Sequence, residues 1–221
     1  MKNLIKKFLP DFHLDYRHKK RIDSFEIQNL KERRRKVLDS WNNEGKPVPP
    51  PHEIKQLVID EYQKKHGITI LVETGTYMGD MVEAHKRTFA MVYSIELDDK
   101  LFSNAIKRFR YDRNVIIKHG DSGSKIFEIV KDIKKQSLFW LDGHYSGGVT
   151  AQGSKDCPIL EEIDGIFTGK FNNHILLIDD ARCFVGEKSY PTKEELYAYV
   201  LKYNKNYKMS VDCDIIRFEV E

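Results

Sequence analysis

Acidic residues stand at the ends of five successive apolar runs in this 221-residue chain. They are Glu73, Glu96, Asp121 (after a His-Gly turn), Asp142 and the pair Asp179 and Asp180. Apolar runs that alternate with helical segments predict parallel strands, and ligands of an open α/β sheet bind beyond the carboxyl ends of its strands. A single acid at a strand end is ordinary turn or helix-capping chemistry. A whole set of acids at one edge indicates a binding site.

The first of these acids opens a turn with two glycines, the sequence ETGTYMG from Glu73 to Gly79. Gly75 and Gly79 let the backbone turn and come close to a ligand. Glu96 ends the next apolar run, and its two oxygens can accept hydrogen bonds from both hydroxyls of a ribose. The pattern predicts a nucleoside-cofactor site. An ordinary strand-to-helix turn with incidental glycines is the alternative that this motif leaves open.

The spacing of the turn bears on the charge of the ligand. A pyrophosphate site uses a tight triple-glycine turn and a bare helix N-terminus, whereas here Glu73 precedes the turn and would repel phosphate. An acid at this point favours a cationic or zwitterionic ligand. A nicotinamide-dependent oxidoreductase therefore fits the motif less well, and it stays open as an alternative.

The remaining acids, Asp142, Asp179 and Asp180, follow strands of the second half of the predicted sheet. Clustered carboxylates repel one another, so a cation between them is favourable, and oxygen ligands suit Mg²⁺. Alternatively, Asp179 caps the next segment and Asp180 pairs with Arg182. His144, two residues after Asp142, is a candidate general base near neutral pH, unless it is a loop histidine bonded to the backbone.

Hydrophobic periodicity predicts seven strands, at residues 68–72, 91–95, 115–118, 137–141, 174–178, 207–211 and 215–220. Helices are predicted at residues 24–41, 52–66, 80–87, 100–109, 124–133, 158–167 and 192–203. The predicted fold class is α/β, with a mostly parallel seven-stranded sheet, helices on both faces and an antiparallel C-terminal finish. The glycine-rich segment 145–156 is long for a loop in a compact domain, which predicts a substrate lid or else a surface insertion.

Charge divides the chain into two parts. The first 50 residues hold 13 lysines and arginines against 7 acidic residues, and the rest holds 24 against 27. A proline-rich stretch at 47–51 predicts a stiff linker, so we divide the chain into a basic helical N-terminal extension (1–50) and a main domain (51–221). The basic run 31–36 has no interleaved aromatic residues, which disfavours nucleic-acid binding.

Residues 1–10 can form a helix with one apolar and one basic face. This pattern predicts either peripheral membrane contact or a surface helix that packs on the domain or on a second subunit of a homodimer. Three scattered cysteines without paired spacing favour a reducing, cytoplasmic location. The apolar runs are too short to span a membrane.

The order of these motifs resembles that of the class I S-adenosylmethionine (SAM)-dependent methyltransferases. The segment from Glu73 to Gly79 is similar to their first motif, Glu96 to their ribose-binding acid, and Gly120-Asp121-Ser122 to their adenine-contacting segment. The resemblance covers about residues 52–221 and implies a Rossmann-like fold. It also implies a SAM site made by Glu73, Thr74, Gly75, Gly79, Glu96, Asp121, Ser122 and Asp142.

Within that class, the segments LDGHY and LIDD resemble the metal-dependent sugar O-methyltransferases of the macrocin type. That resemblance implies Mg²⁺ bound by Asp142, Asp179 and Asp180, and methyl transfer to a hydroxyl of a sugar, a glycan or a related small molecule. Other chains with this pattern suggest a role in surface polysaccharide biosynthesis. The Asp-Gly-Asp of that family is Asp-Gly-His here, which places His144 at the position of the base, with Asp142 beside it.

Two alternatives to this enzyme remain open from the sequence. One is the oxidoreductase that uses NAD or NADP. The other is a non-catalytic module that binds the cofactor, while its basic N-terminal arm recruits a membrane or nucleic acid.

Overall fold

The computed structural model describes residues 28–29, 31–143 and 157–220. The chain divides into two compact units, Met1–Pro47 and Val48–Glu221. In the first unit, helix α1 covers residues 31–43, and the Trp41 indole N–H donates to the carbonyl of Pro47 at 2.8 Å. The expectations for residues 1–10, His144 and the segment 145–156 lie outside the described residues.

The second unit alternates helices and strands along the chain. Its helices are α2 (His52–His66), α3 (Asp80–His85), α4 (Asp99–Phe109), α5 (Ser122–Val130), α6 (Ile159–Phe167) and α7 (Lys193–Val200). Its strands are β1 (Ile70–Thr74), β2 (Met91–Glu96), β3 (Val115–His119), β4 (Leu138–Leu141), β5 (Ile175–Ile178), β6 (Tyr207–Asp212) and β7 (Ile215–Val220).

The strands form one seven-stranded sheet in the order β3-β2-β1-β4-β5-β7-β6. The first five of these are parallel to their neighbours, whereas β7 runs antiparallel to both β5 and β6. Chain order reverses between β1 and β4, and such a switch point opens a crevice at the carboxyl edge of the sheet.

Two hydrophobic cores cover the two faces of the sheet. Helices α2, α3 and α4 pack over one face with Leu71, Trp140 and Leu177, and helices α5, α6 and α7 pack over the other. Neighbouring residues of a strand point to opposite faces, so Val72 belongs to the second core. Both faces of the central strands are buried, which explains their continuous apolar runs. The predicted α/β fold class is confirmed.

The first strand begins and ends two residues later than predicted. Helix α2 ends at Gly67, which has a left-handed backbone (φ +62°), and the amide of Ile68 donates to the carbonyl of Gln63 at 3.1 Å. Closing the helix therefore uses residues that we had assigned to the strand, and β1 begins at Ile70 and not at residue 68. The strand also continues to Thr74, two residues beyond its predicted end, so Glu73 lies inside it and its side chain is buried.

The part of the chain that the structure describes contains no helix that is both long and apolar enough to cross a membrane.

Candidate functional site

Gly75 follows β1 and contacts the backbone at the ends of the two neighbouring strands, β2 and β4. Its backbone is left-handed (φ +82°), and its amide donates to the carbonyl of Ile95 in β2 at 2.9 Å. A Cβ atom at this position would lie 2.5 Å from the carbonyl oxygen of Asp142, which follows β4. The turn after β1 therefore packs directly on the backbone after β4, at the switch point of the sheet.

We expect Gly75→Ala to destabilise the domain by more than the backbone penalty alone, because it adds a clash to a strained φ. The matched control is Gly67→Ala, which has a similar positive φ but no atom within 4 Å of the new Cβ. The control should cost about 1 kcal/mol, and Gly75→Ala should cost about 1–3 kcal/mol more. Urea unfolding of both variants measures this difference, and equal costs would contradict the close approach.

Glu96 ends β2 with both of its carboxylate oxygens held by the backbone. Oε2 accepts the amide of Tyr77 at 2.7 Å, and Oε1 accepts the amide of Asp98 at 2.9 Å. A carboxylate has about four acceptor positions, so each oxygen keeps capacity for one more donor. Two adjacent acceptor oxygens on a fixed carboxylate suit a vicinal diol such as the two hydroxyls of a ribose.

Glu73 lies beneath the turn and is hydrogen-bonded within the protein. The strand register places it opposite Ser94, whose hydroxyl donates to the Glu73 carboxyl group, and Ser94 and Thr76 share a hydrogen bond of 2.6 Å. Burial raises the pKa of Glu73 to about 8. Without a ligand this group is therefore mostly neutral at pH 7, and a nearby cation would favour its ionised form.

The raised pKa of Glu73 predicts that the stability of the folded protein depends on pH. Its pKa in the folded state (about 8) lies above its ordinary value of 4.5, so the folded protein binds a proton that the unfolded chain releases. Between these values Glu73 makes stability fall as pH rises, by up to about 1.4 kcal/mol per pH unit. We expect Glu73→Gln to remove this contribution, so that the variant gains stability over the parent protein from about pH 5 to about pH 8. Urea unfolding across that range tests this, and parallel pH profiles would contradict it.

The predicted adenine-contacting segment begins helix α5. Asp121 is the N-cap residue of this helix, and its Oδ1 accepts the amide of Ser124 at 3.2 Å. The amide of Gly120 donates to the carbonyl of Glu96 at 2.8 Å, which ties the end of β3 to the end of β2. Asp121 thus has the capping role that applies to any strand-end acid, and it lies one strand away from Glu96.

Glu162, on α6, is a buried acid that the sequence analysis missed. A Cβ atom at Gly143 would lie 2.8 Å from Glu162 Oε1, 3.0 Å from the Ser122 hydroxyl and 3.1 Å from the Thr74 hydroxyl. Burial raises the pKa of Glu162 to about 7. The Thr74 hydroxyl also accepts the amide of Asp142 at 3.1 Å, so this polar cluster supports the backbone after β4. A glutamate at helical spacing from the buried Ile159 and Ile166 was the available sequence signal.

At the carboxyl ends of β4 and β5, a lysine lies against the buried carboxylates. The ammonium group of Lys55, on α2, donates to the carboxylate of Asp179 and lies 3.9 Å from Asp180 Oδ1. Burial and the charge of Asp179 raise the pKa of Asp142 well above its ordinary value. Asp180 also pairs with Arg182 at 2.9 Å, which is the alternative that the sequence left open. Lys55 was not among the residues that the sequence pattern predicted for the site.

These contacts do not fit the predicted magnesium site. Among the described residues, no group of three or more His, Cys, Asp or Glu side chains is arranged to hold a metal ion. Lys55 and Arg182 already supply positive charge to Asp179 and Asp180. The structure therefore does not support Mg²⁺ bound by Asp142, Asp179 and Asp180. The role of His144 as base stays a prediction.

No protein-family model matches the chain, and no curated protein matches it. Solved structures do. A candidate caffeoyl-CoA O-methyltransferase of Staphylococcus aureus is similar with a TM-score of 0.54 and 13% identity, over 94% of this chain and 100% of that one. An O-methyltransferase of Bacillus cereus, in complex with S-adenosylhomocysteine (SAH), gives 0.52 and 11%, over 85% and 90% of the two chains.

A third similar structure is TomG, an O-methyltransferase of Streptomyces achromogenes involved in tomaymycin synthesis, in complex with SAM. Its TM-score is 0.52 at 10% identity, over 85% of this chain and 88% of TomG. At these identities the likeness concerns the fold. The chain has the Rossmann-like fold of the class I methyltransferases.

Proposed function

We propose that this protein is a SAM-dependent O-methyltransferase. The observation that carries the proposal is the Glu96 carboxylate, fixed by two backbone amides at the end of β2 with an acceptor position left on each oxygen. The turn at Gly75 lies beside it at the switch point of the sheet. Support also comes from the B. cereus protein and TomG, which share the fold and hold SAH and SAM.

We assign the described residues at the carboxyl edge of the sheet to different parts of the bound cofactor. Glu96 would bind the ribose, and Asp121 and Ser122, at the start of α5, would lie near the adenine. Glu73 lies beneath the turn, where a bound cationic cofactor would stabilise its ionised form. Gly75 allows the turn to approach the backbone after β4, Gly79 packs against Phe109, and Thr74 fixes the amide of Asp142 between the two halves.

SAM, when bound, supplies a methyl group on a cationic sulfur. The acceptor oxygen would bond to the methyl carbon, the sulfur would keep the electron pair of its broken bond, and a base would take the hydroxyl proton. The protein mainly has to align the acceptor oxygen, the methyl carbon and the sulfur. Asp142 follows β4, which lies between the cofactor strands β1 and β2 and the strand β5. We therefore place the acceptor hydroxyl between Asp142 and the end of β5. His144 is the predicted base.

We propose a sugar or a related small molecule as the acceptor, with surface polysaccharide as the setting. The carboxylates at the β4 and β5 ends offer acceptors for the hydroxyl groups of such a substrate. We do not include magnesium in the mechanism, because Lys55 is already paired with Asp179. Cytoplasmic location, membrane contact through residues 1–10, a homodimer and the lack of nucleic-acid binding stay predictions.

Incubation with methyl-labelled SAM and a panel of nucleotide sugars and glycans tests the proposal, with Glu96→Gln protein as the matched control. We expect label in at least one hydroxyl-bearing acceptor and much less with the control. Titrations with SAH and NADH test the cofactor class in parallel. Binding of NADH without binding of SAH would overturn the proposal in favour of an oxidoreductase.

A further inference from the structure

Lys55 has an unusual position for a lysine on a surface helix of an α/β domain. Its side chain is 15% exposed and ends at the carboxyl edge of β5, where Asp179 is 1% exposed. The same ammonium group is 3.9 Å from Asp180. Lys55 is also at helical spacing from the buried residues Val58 and Ile59, so it extends the apolar stripe of α2 and not its solvent-facing side.

The charges that face Lys55 come from two other elements. Asp142 follows β4, and Asp179 and Asp180 follow β5, and all three act on the lysine electrostatically. Arg182 pairs with Asp180, which is more exposed than Asp179, and so neutralises its charge. Arg182 also pairs with Asp214. Lys55 is therefore the cation that the structure places against the inner carboxylate, Asp179.

A buried ion pair strongly resists the loss of one partner, because the remaining charge is then buried without compensation. A divalent ion at Asp179 would either displace Lys55 from this carboxylate or lie beside an ammonium group of like charge. Either effect acts against metal binding as long as Lys55 is present.

We propose that Lys55 is a built-in cation that takes the place of a divalent metal at the acceptor side of the site. This inference rests on the proposed methyl transfer for its purpose, but it concerns Lys55 and the carboxylates alone. An ammonium group has three donors, and Asp179 uses one of them. The others can hold an acceptor oxygen beside Asp142, so Lys55 would bind the acceptor directly, and its charge makes a metal ion unnecessary.

Titration with Mn²⁺, followed by electron paramagnetic resonance, tests this without an activity assay. The protein is the full chain, as the parent, Lys55→Met, Asp179→Asn and the double variant. The matched control is Lys65→Met, which removes a lysine of the same helix that pairs with Glu219 at the surface. Binding sites that persist in Asp179→Asn are subtracted, because they lie elsewhere in the chain.

We expect no Asp179-dependent Mn²⁺ site in the parent or in Lys65→Met. Lys55→Met should gain one such site, with a dissociation constant at least about tenfold below the highest Mn²⁺ concentration at which the parent shows none, because repulsion from the ammonium group is gone. The double variant should lose that site again. An Asp179-dependent site in the parent protein, or no gain in folded Lys55→Met, would overturn the inference.

If Lys55→Met does not fold, the parent and Asp179→Asn keep the inference testable, because an Asp179-dependent Mn²⁺ site in the parent overturns it. SAH affinity is measured on the same samples before and after dialysis against EDTA. We expect it to be unchanged. Failure of the parent to bind SAH would count against the proposed function, whereas an Asp179-dependent metal site would count only against the role of Lys55.

Discussion

Glu96→Gln will weaken SAH binding by about 10- to 100-fold, the equivalent of one charge-assisted hydrogen bond. Each Glu96 oxygen already accepts one backbone amide, from Tyr77 or from Asp98. An amide side chain keeps one of these oxygens and turns the other into a donor that opposes a backbone N–H. The variant therefore loses a ribose acceptor and loosens the turn at the same time.

Calorimetric titration with SAH measures this effect. Glu128→Gln is the matched control, because Glu128 is an exposed acid on α5 whose described partners are the lysines Lys125 and Lys118. It should leave the dissociation constant unchanged. Equal affinities of Glu96→Gln and the parent protein would remove Glu96 from the cofactor site.

The second large effect is expected at Asp179. Asp179→Asn should lower kcat by about 100-fold or more, because the residue positions Lys55 at the acceptor side, and misplaced groups of this kind are costly. The dissociation constant of SAH should change by less than about threefold, since Glu96 lies three strands away, at the other half of the edge. Kinetics and SAH titration of the same protein measure the two effects.

Asp179→Asn will also destabilise the fold, by about 3–5 kcal/mol, because Lys55 remains buried without its partner. Asp212→Asn is the control, since Asp212 pairs with Arg217 from an exposed position and should cost less than about 1 kcal/mol. Equal loss of SAH affinity and kcat in folded Asp179→Asn would contradict the division of the site into a cofactor half and an acceptor half.

The order of elements follows from local patterns, so it was predictable. Apolar runs of four to six residues that alternate with helical periodicity led to the parallel sheet, and the strand-end acids marked its carboxyl edge. The start of β1 was wrong by two residues, because the helix cap at Gly67 also uses Ile68. Its end was wrong by two residues as well, because the pairing with β2 continues to Thr74, and this places Glu73 inside the strand, against Ser94.

The contacts that set the charge of the site were not predictable in the same way. Lys55 meets Asp179 from a helix 124 residues earlier in the chain, and Glu162 reaches the Gly143 backbone from the opposite layer of helices. The clustered carboxylates led to the prediction of Mg²⁺, because a pattern of acids does not show that a lysine of a distant helix lies beside them. Each of the two residues did leave a signal, since both are charged side chains on the buried stripe of their helix.

A crystal structure of the protein with SAH tests the central claim most directly. The account predicts SAH at the carboxyl edge of the sheet, with one ribose hydroxyl on each oxygen of Glu96 and the adenine beside Asp121 and Ser122. SAH bound elsewhere, or bound at this edge without contact to the Glu96 carboxylate, would contradict it.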